Sequence, residues 1–364
     1  MSKMKIDIEL VREHLKNVQD PELKRSIVEL GMLENVEAKK DKLTIKIKLT
    51  IPGCPLKDKI SNDIRDALAD VPGIAEIKIE FSSMSEEERK ALTNQMTGKD
   101  HSAVFASRGV KNVVLVASGK GGVGKSTVTA NLATTTAKQG YKVGILDADI
   151  HGFSIPRIMG AKGQPTIIDN TIIPIESHGI KIISMGFFMR ENDAVLWRGP
   201  MIHKAVSQFL SDVFWDNLDY LFIDLPPGTG DVAMSLAQNV PGVNAVLITT
   251  PQPGAYMVAS RIASLIEKFE IKLLGIIENM SYFLAPDGSK EYIFGSGGGK
   301  ELAESLNAPL LGNIPLETLV RQGGDDGCPI TISDENNPAV IEINRITEEM
   351  IKSLEQNKLS KTAV

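Results

Sequence analysis

Eight glycine-rich residues, GKGGVGKS at 119–126, constrain the fold of this 364-residue chain more than any other stretch. They follow the continuous apolar run VVLVA and open the predicted helix TVTANLATTTAKQ. The octet satisfies G-x-x-x-x-G-K-[ST], the pattern of a loop that joins a buried strand to a helix and turns its backbone N–H groups toward phosphate oxygens. The sequence therefore predicts a strand–loop–helix unit that binds a nucleoside triphosphate.

Further short apolar runs follow this loop and alternate with helical stretches. They include KVGILDAD, YLFIDLPPG, AVLITTP and LLGIIEN. Continuous apolar runs of about four to eight residues are typical of strands that are buried on both faces, as in a parallel sheet between helices. We therefore predict an α/β fold for residues 113–356, a P-loop NTPase with a mostly parallel sheet flanked by helices. A helix over about 337–356 closes it.

Residues 1–81 show a different periodicity. Apolar and polar residues alternate strictly at Leu43, Ile45, Ile47, Leu49 and Ile51, which is typical of a half-buried strand. Apolar residues then recur at every fourth position, which indicates an amphipathic helix. The region is predicted to be a small α+β domain in the order α-β-β-α-β. A polar linker over 82–112 follows it, unless 82–112 is a surface loop within one domain, and 357–364 form a tail.

Composition and charge argue against several classes of protein. The net charge is −6 and no basic stripe stands out, so nucleic acid is not an expected partner. Two cysteines, Cys54 and Cys328, cannot form a disulfide framework or a four-thiolate metal site within one chain. The charged N-terminus has no signal-peptide pattern, and no apolar run approaches the ~18 residues of a membrane span. We therefore expect a cytoplasmic protein with no membrane partner.

The loop residues have distinct predicted roles. Lys125 is expected to neutralise the β- and γ-phosphates, and the Ser126 hydroxyl to ligate Mg²⁺. The predicted nucleotide-binding residues of the loop are Gly119, Lys120, Gly121, Gly122, Val123, Gly124, Lys125, Ser126 and Thr127.

Three acidic residues stand at predicted strand ends. Asp147 and Asp149 follow KVGIL, and Asp224 follows YLFI at the position of a Walker-B acid. Carboxyl ends of parallel strands share one sheet edge, so these carboxylates are expected beside the phosphate loop. Asp147 and Asp224 are predicted to hold Mg²⁺ with Ser126. Asp149 is predicted to position the attacking water, a role for which Asp147 is a second candidate. The alternative for each is a helix cap. The turn after Asp224, 226–228, resembles a γ-phosphate-sensing switch.

Two residues are candidates for base recognition. Asn279 ends the late strand LLGIIEN, where its amide could pair with the edge of adenine, and Pro315 in IPLET could contact the base. No N/T-K-x-D motif for guanine is present, so the expected nucleotide is ATP. Asn279 is equally compatible with an ordinary turn.

Several motifs together resemble one family. GKGGVGKS, DADIHGFSIP, WRGPM, DYLFIDLPPGTGD, ENMSYF, FGSGGGKELAE and LGNIPL are similar to segments of the Mrp/ApbC ATPases, iron–sulfur cluster carriers related to MinD and ParA. DPELKRSIVELGM and LTIPGCPLKD in the first 81 residues resemble the iron–sulfur assembly domain fused to bacterial members. The resemblance covers nearly the whole chain.

The resemblance implies a homodimeric ATPase that binds an iron–sulfur cluster and delivers it to apo-proteins or an assembly scaffold. It implies that Lys120 reaches across the dimer to the nucleotide of the partner. Lys120, Lys125 and Asp149 are then the expected catalytic residues, and hydrolysis is expected to be slow without a dimer or client.

The chain departs from the family at the cluster site. Family members usually carry C-x-x-C shortly after ENMSYF, and the corresponding positions here are Ala285 and Gly288, neither of which can ligate iron. Cys54, in the turn PGCP, is the remaining candidate ligand, and a small residue packed at a turn is its alternative role. Two further functions stay open: a positioning switch of the MinD/ParA type, and a nucleotide-gated adaptor that has lost its cluster site.

Overall fold

The computed structural model describes most of the chain as two compact units. The described residues are 6–21, 23, 25–50, 56–85, 87–89, 91–92, 109–149, 152–188, 199–228, 240, 242–252 and 271–362, with the backbone alone for 199–204 and 357–362. One unit comprises 1–100 and 166–173, and the other comprises 101–165 and 174–364.

In its described part, the smaller unit contains a three-stranded sheet, two helices and further helical residues at 87–89 and 91–92. Its elements are α1 (Ile8–Leu15), β1 (Leu33–Lys39), β2 (Lys42–Leu49), α2 (Lys57–Ala67) and β3 (Glu76–Ser83), with a short hairpin of β6 (Thr166–Ile168) and β7 (Thr171–Ile173). β2 is central, antiparallel to β1 and parallel to β3. The first five elements follow the predicted order α-β-β-α-β.

Alternation explains why this sheet has one buried face. Leu43, Ile45, Ile47 and Leu49 of β2 are buried, and the residues between them are not. Each helix buries an apolar stripe as well, because its apolar residues are spaced one turn apart. The polar positions of β3 form ion pairs: Glu76 pairs with Lys42 of β2, and Lys78 pairs with Glu80 of the same strand.

The larger unit contains ten strands and seven helices in its described part. The strands are β4 (Asn112–Ser118), β5 (Val143–Asp147), β8 (Ile175–Ser177), β9 (Ile180–Ser184), β10 (Tyr220–Asp224), β11 (Asn244–Thr249), β12 (Lys272–Glu278), β13 (Phe283–Leu284), β14 (Lys290–Glu291) and β15 (Leu310–Asn313). The helices are α3 (Lys125–Lys138), α4 (Ile155–Ile158), α5 (Gly199–Asp212), α6 (Gly298–Ser305), α7 (Thr318–Asp326), α8 (Ile330–Ser333) and α9 (Pro338–Thr362).

Eight of these strands form one sheet in the order β15-β12-β11-β4-β10-β5-β9-β8. All neighbours are parallel except β8, which runs antiparallel to β9 at the edge. Every residue of β4, β5, β10 and β11 is buried, as the continuous apolar runs predict. The sheet places the ends of β4, β5 and β10 side by side, with Asp224 opposite both Asp147 and Val116.

The closing helix α9 packs on this unit through its apolar stripe. Val340, Ile343, Ile346, Met350 and Leu354 are all buried. The helix extends to Thr362, through residues predicted to be a tail. Within the described ranges, no helix combines the length and apolarity that crossing a membrane requires.

Candidate nucleotide site

The phosphate loop connects β4 to α3 as the motif predicts. Gly122 and Gly124 both have φ of 78°, a left-handed conformation that glycine adopts without strain. A Cβ on Gly124 would also lie only 2.4 Å from the amide nitrogen of Asn279. Gly124 is the N-cap of α3, so the first N–H groups of that helix are directed toward the loop. Such an arrangement suits an anion.

Lys125 is buried beside Asp224 at the base of the loop. Their side chains are 6% and 0% exposed, and Nζ lies 2.6 Å from Oδ1 of Asp224 and 3.9 Å from Oδ2 of Asp149. Nζ makes no contact of hydrogen-bond geometry with the described residues, and these two carboxylate contacts cannot engage all three of its protons. A buried cation with unused donors fits a phosphate oxygen.

Asp224 organises the first turns of α3. Its Oδ2 accepts a hydrogen bond from Ser126 Oγ at 2.5 Å, and its Oδ1 accepts one from Thr129 Oγ1 at 2.9 Å. Thr129 was not among the predicted site residues. It lies one helical turn after Lys125 on the same face of α3, and that i+4 spacing is the signal that could have identified it.

Asp147 lies opposite Asp224 on the neighbouring strand, and hydrogen bonds from two other residues hold its carboxylate. Its carboxylate accepts hydrogen bonds from the Asp149 amide at 3.1 Å and from Ser184 Oγ at 3.0 Å. Burial raises the pKa of Asp147 well above its ordinary value, and the neighbouring Asp224 raises it further. Ser184 ends β9 and was not among the predicted site residues.

The predicted acids therefore meet at one sheet edge with Lys125 and Ser126. Asp149 is 9% exposed and follows β5 directly. The Ser126 hydroxyl and the carboxylates of Asp147 and Asp224 are oxygen donors of the kind that Mg²⁺ prefers, and the buried ammonium suits phosphate. The roles assigned to each of these side chains remain predictions.

A cavity of about 290 Å³ extends from the loop on the side predicted to receive the base. Gly124, Thr127, Asn279 and Pro315, all of them predicted nucleotide-binding residues, are among the residues that line it. Asn279 is buried and its amide donates to the Val123 carbonyl at 2.8 Å, so it braces the loop from this side. Pairing of the Asn279 amide with adenine remains a prediction.

The far wall of this cavity includes residues that the sequence analysis did not identify. Arg157 of α4 and Arg321 of α7 both donate to the carboxylate of Asp325, at 2.8 and 2.5 Å. The side chains of both arginines are largely exposed. No motif marks them, because α4 and α7 lie far apart in the sequence and meet only in the fold.

Lys120 is directed to a neighbouring strand end of its own chain. Nζ donates to Oε1 of Gln252 at 2.9 Å, and the Lys120 carbonyl accepts a hydrogen bond from Ser118 Oγ at 3.1 Å. Gln252 was not predicted to take part in the site.

The positions expected for cluster ligands carry no thiol. Ala285 and Gly288 form the closed turn between β13 and β14, in which the Gly288 amide donates to the Ala285 carbonyl at 2.9 Å. Cys54 lies outside the described residues. Cys328 is partly buried after α7. The described residues contain no group of three His, Cys, Asp or Glu side chains that could hold a metal ion.

Comparison with protein families gives two matches. A family model described as "ParA: NUBPL iron-transfer P-loop NTPase" matches residues 109–351. A second, "FeS_assembly_P: Iron-sulfur cluster assembly protein", matches residues 8–81. The two matches confirm the resemblance that the motifs indicated.

Curated relatives resemble the chain over nearly its full length. The "Iron-sulfur cluster carrier protein" of Mycobacterium leprae is 45% identical over 92% of this chain and 90% of its own. The proteins of the same name from Deinococcus radiodurans and Bacillus subtilis are 44% and 38% identical, over 95% of this chain in both cases. They cover 95% and 96% of their own lengths.

Solved structures agree on the fold of the larger unit. A nucleotide-binding protein from Archaeoglobus fulgidus in complex with ADP is 36% identical, covers 71% of this chain and 96% of its own, and has a TM-score of 0.54. The septum site-determining protein MinD of Pyrococcus horikoshii, complexed with Mg-ADP, is 22% identical over 67% of this chain and 97% of its own, with a TM-score of 0.50. The predicted P-loop NTPase class is confirmed.

Proposed function

The chain belongs to the family of NUBPL iron-transfer P-loop NTPases, and we propose that it is an ATP-hydrolysing, homodimeric carrier that delivers iron–sulfur clusters to apo-proteins. The observation that supports this most strongly is the match to carrier proteins across both units of the chain. The buried Lys125–Asp224 pair supports the ATP-dependent part, because its unused donors suit a triphosphate.

The hydrolytic step is proposed to convert ATP and water to ADP and phosphate. Lys125 holds the charge of the β- and γ-phosphates, and Ser126 with Asp224 and Asp147 holds Mg²⁺, which supplies further charge neutralisation when bound. Asp149 orients the attacking water. Asn279 and Pro315 contact the adenine, and Lys120 stabilises the nucleotide of the partner protomer. Loss of the γ-phosphate then alters the turn 226–228 and the dimer.

The cargo site is proposed to differ from that of relatives with paired cysteines. Ala285 and Gly288 cannot ligate iron, so Cys54 from each protomer is proposed to supply two thiolates. The remaining ligands would then come from the client or a small thiol. Residues 1–81, a linker over 82–112 and the ATPase over 113–356 are the proposed domains.

Anaerobic reconstitution with iron and sulfide tests the carrier function. We expect an absorbance band near 400 nm that survives desalting in the wild type and in Cys328→Ala, and that is lost in Cys54→Ala. ATP should then increase the rate at which the retained cluster appears on an apo-ferredoxin.

The replaced C-x-x-C motif favours a second function, that of a nucleotide-gated adaptor without a cluster. Retention of no iron by any variant, together with intact ATP hydrolysis, would support the adaptor and contradict the carrier. ATP-dependent sedimentation with liposomes or DNA would instead favour a positioning switch.

A further inference from the structure

Gln252 accepts two hydrogen bonds at the end of β11. Its Oε1 accepts from Lys120 Nζ at 2.9 Å and from Thr250 Oγ1 at 2.7 Å. An amide oxygen has two lone pairs, so these two donors use its full accepting capacity. The Gln252 side chain is thus held by its near neighbour Thr250 and, in addition, by Lys120 of the phosphate loop.

The sheet register explains why these residues meet. β4 and β11 are parallel neighbours, with Ile248 opposite Ser118. The chain therefore leaves both strands at the same edge, and Lys120 and Gln252 follow at adjacent positions. The Ser118 hydroxyl also fixes the main chain of Lys120 at 3.1 Å.

The segment that carries Gln252, the acceptor, is packed more tightly than the long side chain of Lys120, the donor. Thr250 and Pro251 are buried, and a Cβ on Gly298 would lie 2.5 Å from the Pro251 carbonyl oxygen, so the start of α6 packs tightly against this segment. The buried Glu278 carboxylate in turn accepts a hydrogen bond from the Gly299 amide at 2.5 Å. The flexible lysine stem is therefore the part of the pair that can move.

An anion can replace Gln252 as the hydrogen-bond acceptor of Lys120. No carboxylate forms an ion pair with Lys120 in the described part of the chain, and its partner is a neutral amide. The Lys120 ammonium is charged in either contact, but a phosphate oxygen also carries negative charge and so adds a Coulomb attraction that the neutral Gln252 amide lacks. A phosphate oxygen is therefore a better acceptor for Lys120 than Gln252 is.

We propose that Gln252 is a positioning residue that retains Lys120 within its own protomer and releases it when the phosphates of a partner's nucleotide come within reach. This inference rests on the proposed homodimer, in which Lys120 crosses to the partner. Gln252 then sets how readily ATP drives dimerisation, while nucleotide binding by one protomer does not depend on it.

Two substitutions at Gln252 should have opposite effects. Gln252→Leu removes the acceptor at similar volume, and Gln252→Glu replaces it with a carboxylate of the same shape. In nucleotide-free protein, acetic anhydride labelling of Lys120, followed by mass spectrometry, should rise about fivefold in the leucine variant and fall about fivefold in the glutamate variant.

ATP-dependent dimerisation provides the second readout. By sedimentation with a non-hydrolysable ATP analogue, the dimer dissociation constant should fall about fivefold in Gln252→Leu and rise about fivefold in Gln252→Glu. The same changes at Gln139, an exposed glutamine at the other end of α3, are the matched control and should alter neither readout.

Variants of Lys120 separate this inference from the proposed function. In a Lys120→Ala background both Gln252 substitutions should leave dimerisation unchanged. Shifts of the same sign in the two Gln252 variants, or shifts that persist without Lys120, would overturn the positioning role. Normal dimerisation and hydrolysis in Lys120→Ala alone would contradict the proposed function, whereas the labelling result would still report on the Gln252 contact.

Discussion

The phosphate side and the base side of the nucleotide site are built in different ways. On the phosphate side, the side chains of Lys125 and Asp224 are at most 6% exposed, so their ion pair lies in a desolvated interior. On the base side, the side chains of Arg157, Arg321 and Asp325 are 72%, 66% and 40% exposed. Electrostatic contacts are strong where water is excluded and weak at the surface. The binding free energy should therefore be concentrated at the phosphates.

The two sides also differ in how they are assembled. The phosphate side comes from one contiguous loop, the end of β10, which neighbours β4, and the end of β5, one strand further along. The base side combines α4, the end of β12 and α7, which are separated by long stretches of sequence. Substitutions on the phosphate side should therefore lower the affinity for ATP much more than substitutions on the base side.

Lys125→Ala should have the largest effect. It removes the buried ammonium and leaves Asp224 without its cation, so affinity for a fluorescent ATP analogue should fall at least about a hundredfold. Lys138→Ala, at the opposite and exposed end of α3, is the control and should bind normally. If Lys125→Ala bound the ATP analogue with wild-type affinity, the phosphate side would not contribute more to nucleotide binding than the base side.

Asn279→Ala should have an intermediate effect, since this residue contacts both sides. It removes the brace on the Val123 carbonyl and a polar group from the cavity, and the dissociation constant for ATP should rise about tenfold. Asn244→Ala removes a comparably buried amide at the start of β11 and should not alter binding. Equal effects of the two substitutions would mean that Asn279 acts only through stability.

Asp147→Asn should stabilise the nucleotide-free protein in a pH-dependent way. Because burial, followed by Asp224, raises the pKa of Asp147 in the folded state, the native state favours the neutral carboxyl. The contribution of the neutral Asp147 carboxyl to the free energy of unfolding is fully present below its ordinary pKa of 3.8. That contribution is lost as pH rises through the pKa of Asp147 in the folded state. Asparagine stays neutral, so calorimetry should show a melting temperature about 2–5 °C higher than wild type at pH 7.5.

The stabilisation by Asp147→Asn should vanish near pH 4. Asp219→Asn is the contrasting variant: burial opposes ionisation there, but the Lys111 ammonium and the Lys142 amide hold the Asp219 pKa below its ordinary value. That substitution should lower the melting temperature at pH 7.5. A pH-independent gain in Asp147→Asn would contradict the desolvation of the phosphate side.

Arg321→Ala should have the smallest effect. Its ion pair with Asp325 is exposed, so affinity for ATP should change by less than about threefold, as measured by the same fluorescence titration. A loss comparable to that in Lys125→Ala would show that the base side is as strongly coupled to the nucleotide as the phosphate side.

Much of the phosphate side was predictable because its information is local. The loop motif specifies a strand, a turn and a helix within one contiguous segment, and the parallel sheet brings Asp147, Asp149 and Asp224 to the same edge. Ser184 and Gln252 were missed because each is a common polar residue whose partner is defined only by strand order, whereas Thr129 could have been found from its i+4 spacing from Lys125.

The base side of the nucleotide site was less predictable from the sequence, and so were the short strands between residues 166 and 184. Asn279 and Pro315 could be identified from their strand ends, whereas Arg157 and Arg321 belong to helices with no distinctive pattern. The hairpins over 166–184 were also not predicted, since strands of three to five residues carry too little periodicity. In the smaller unit the strict alternation of β2 was sufficient to predict a sheet with one buried face.

The ion pairs on β3 bear on how this protein behaves at high concentration. In the described part of the smaller unit, β1 and β3 each have a strand neighbour on one side only, so their outer backbone groups could pair with another chain. Glu76, Lys78 and Glu80 place alternating charges along β3, and a second copy of that strand would have to desolvate them in order to align. The same residues that satisfy the polar face therefore protect the sheet against edge-to-edge aggregation.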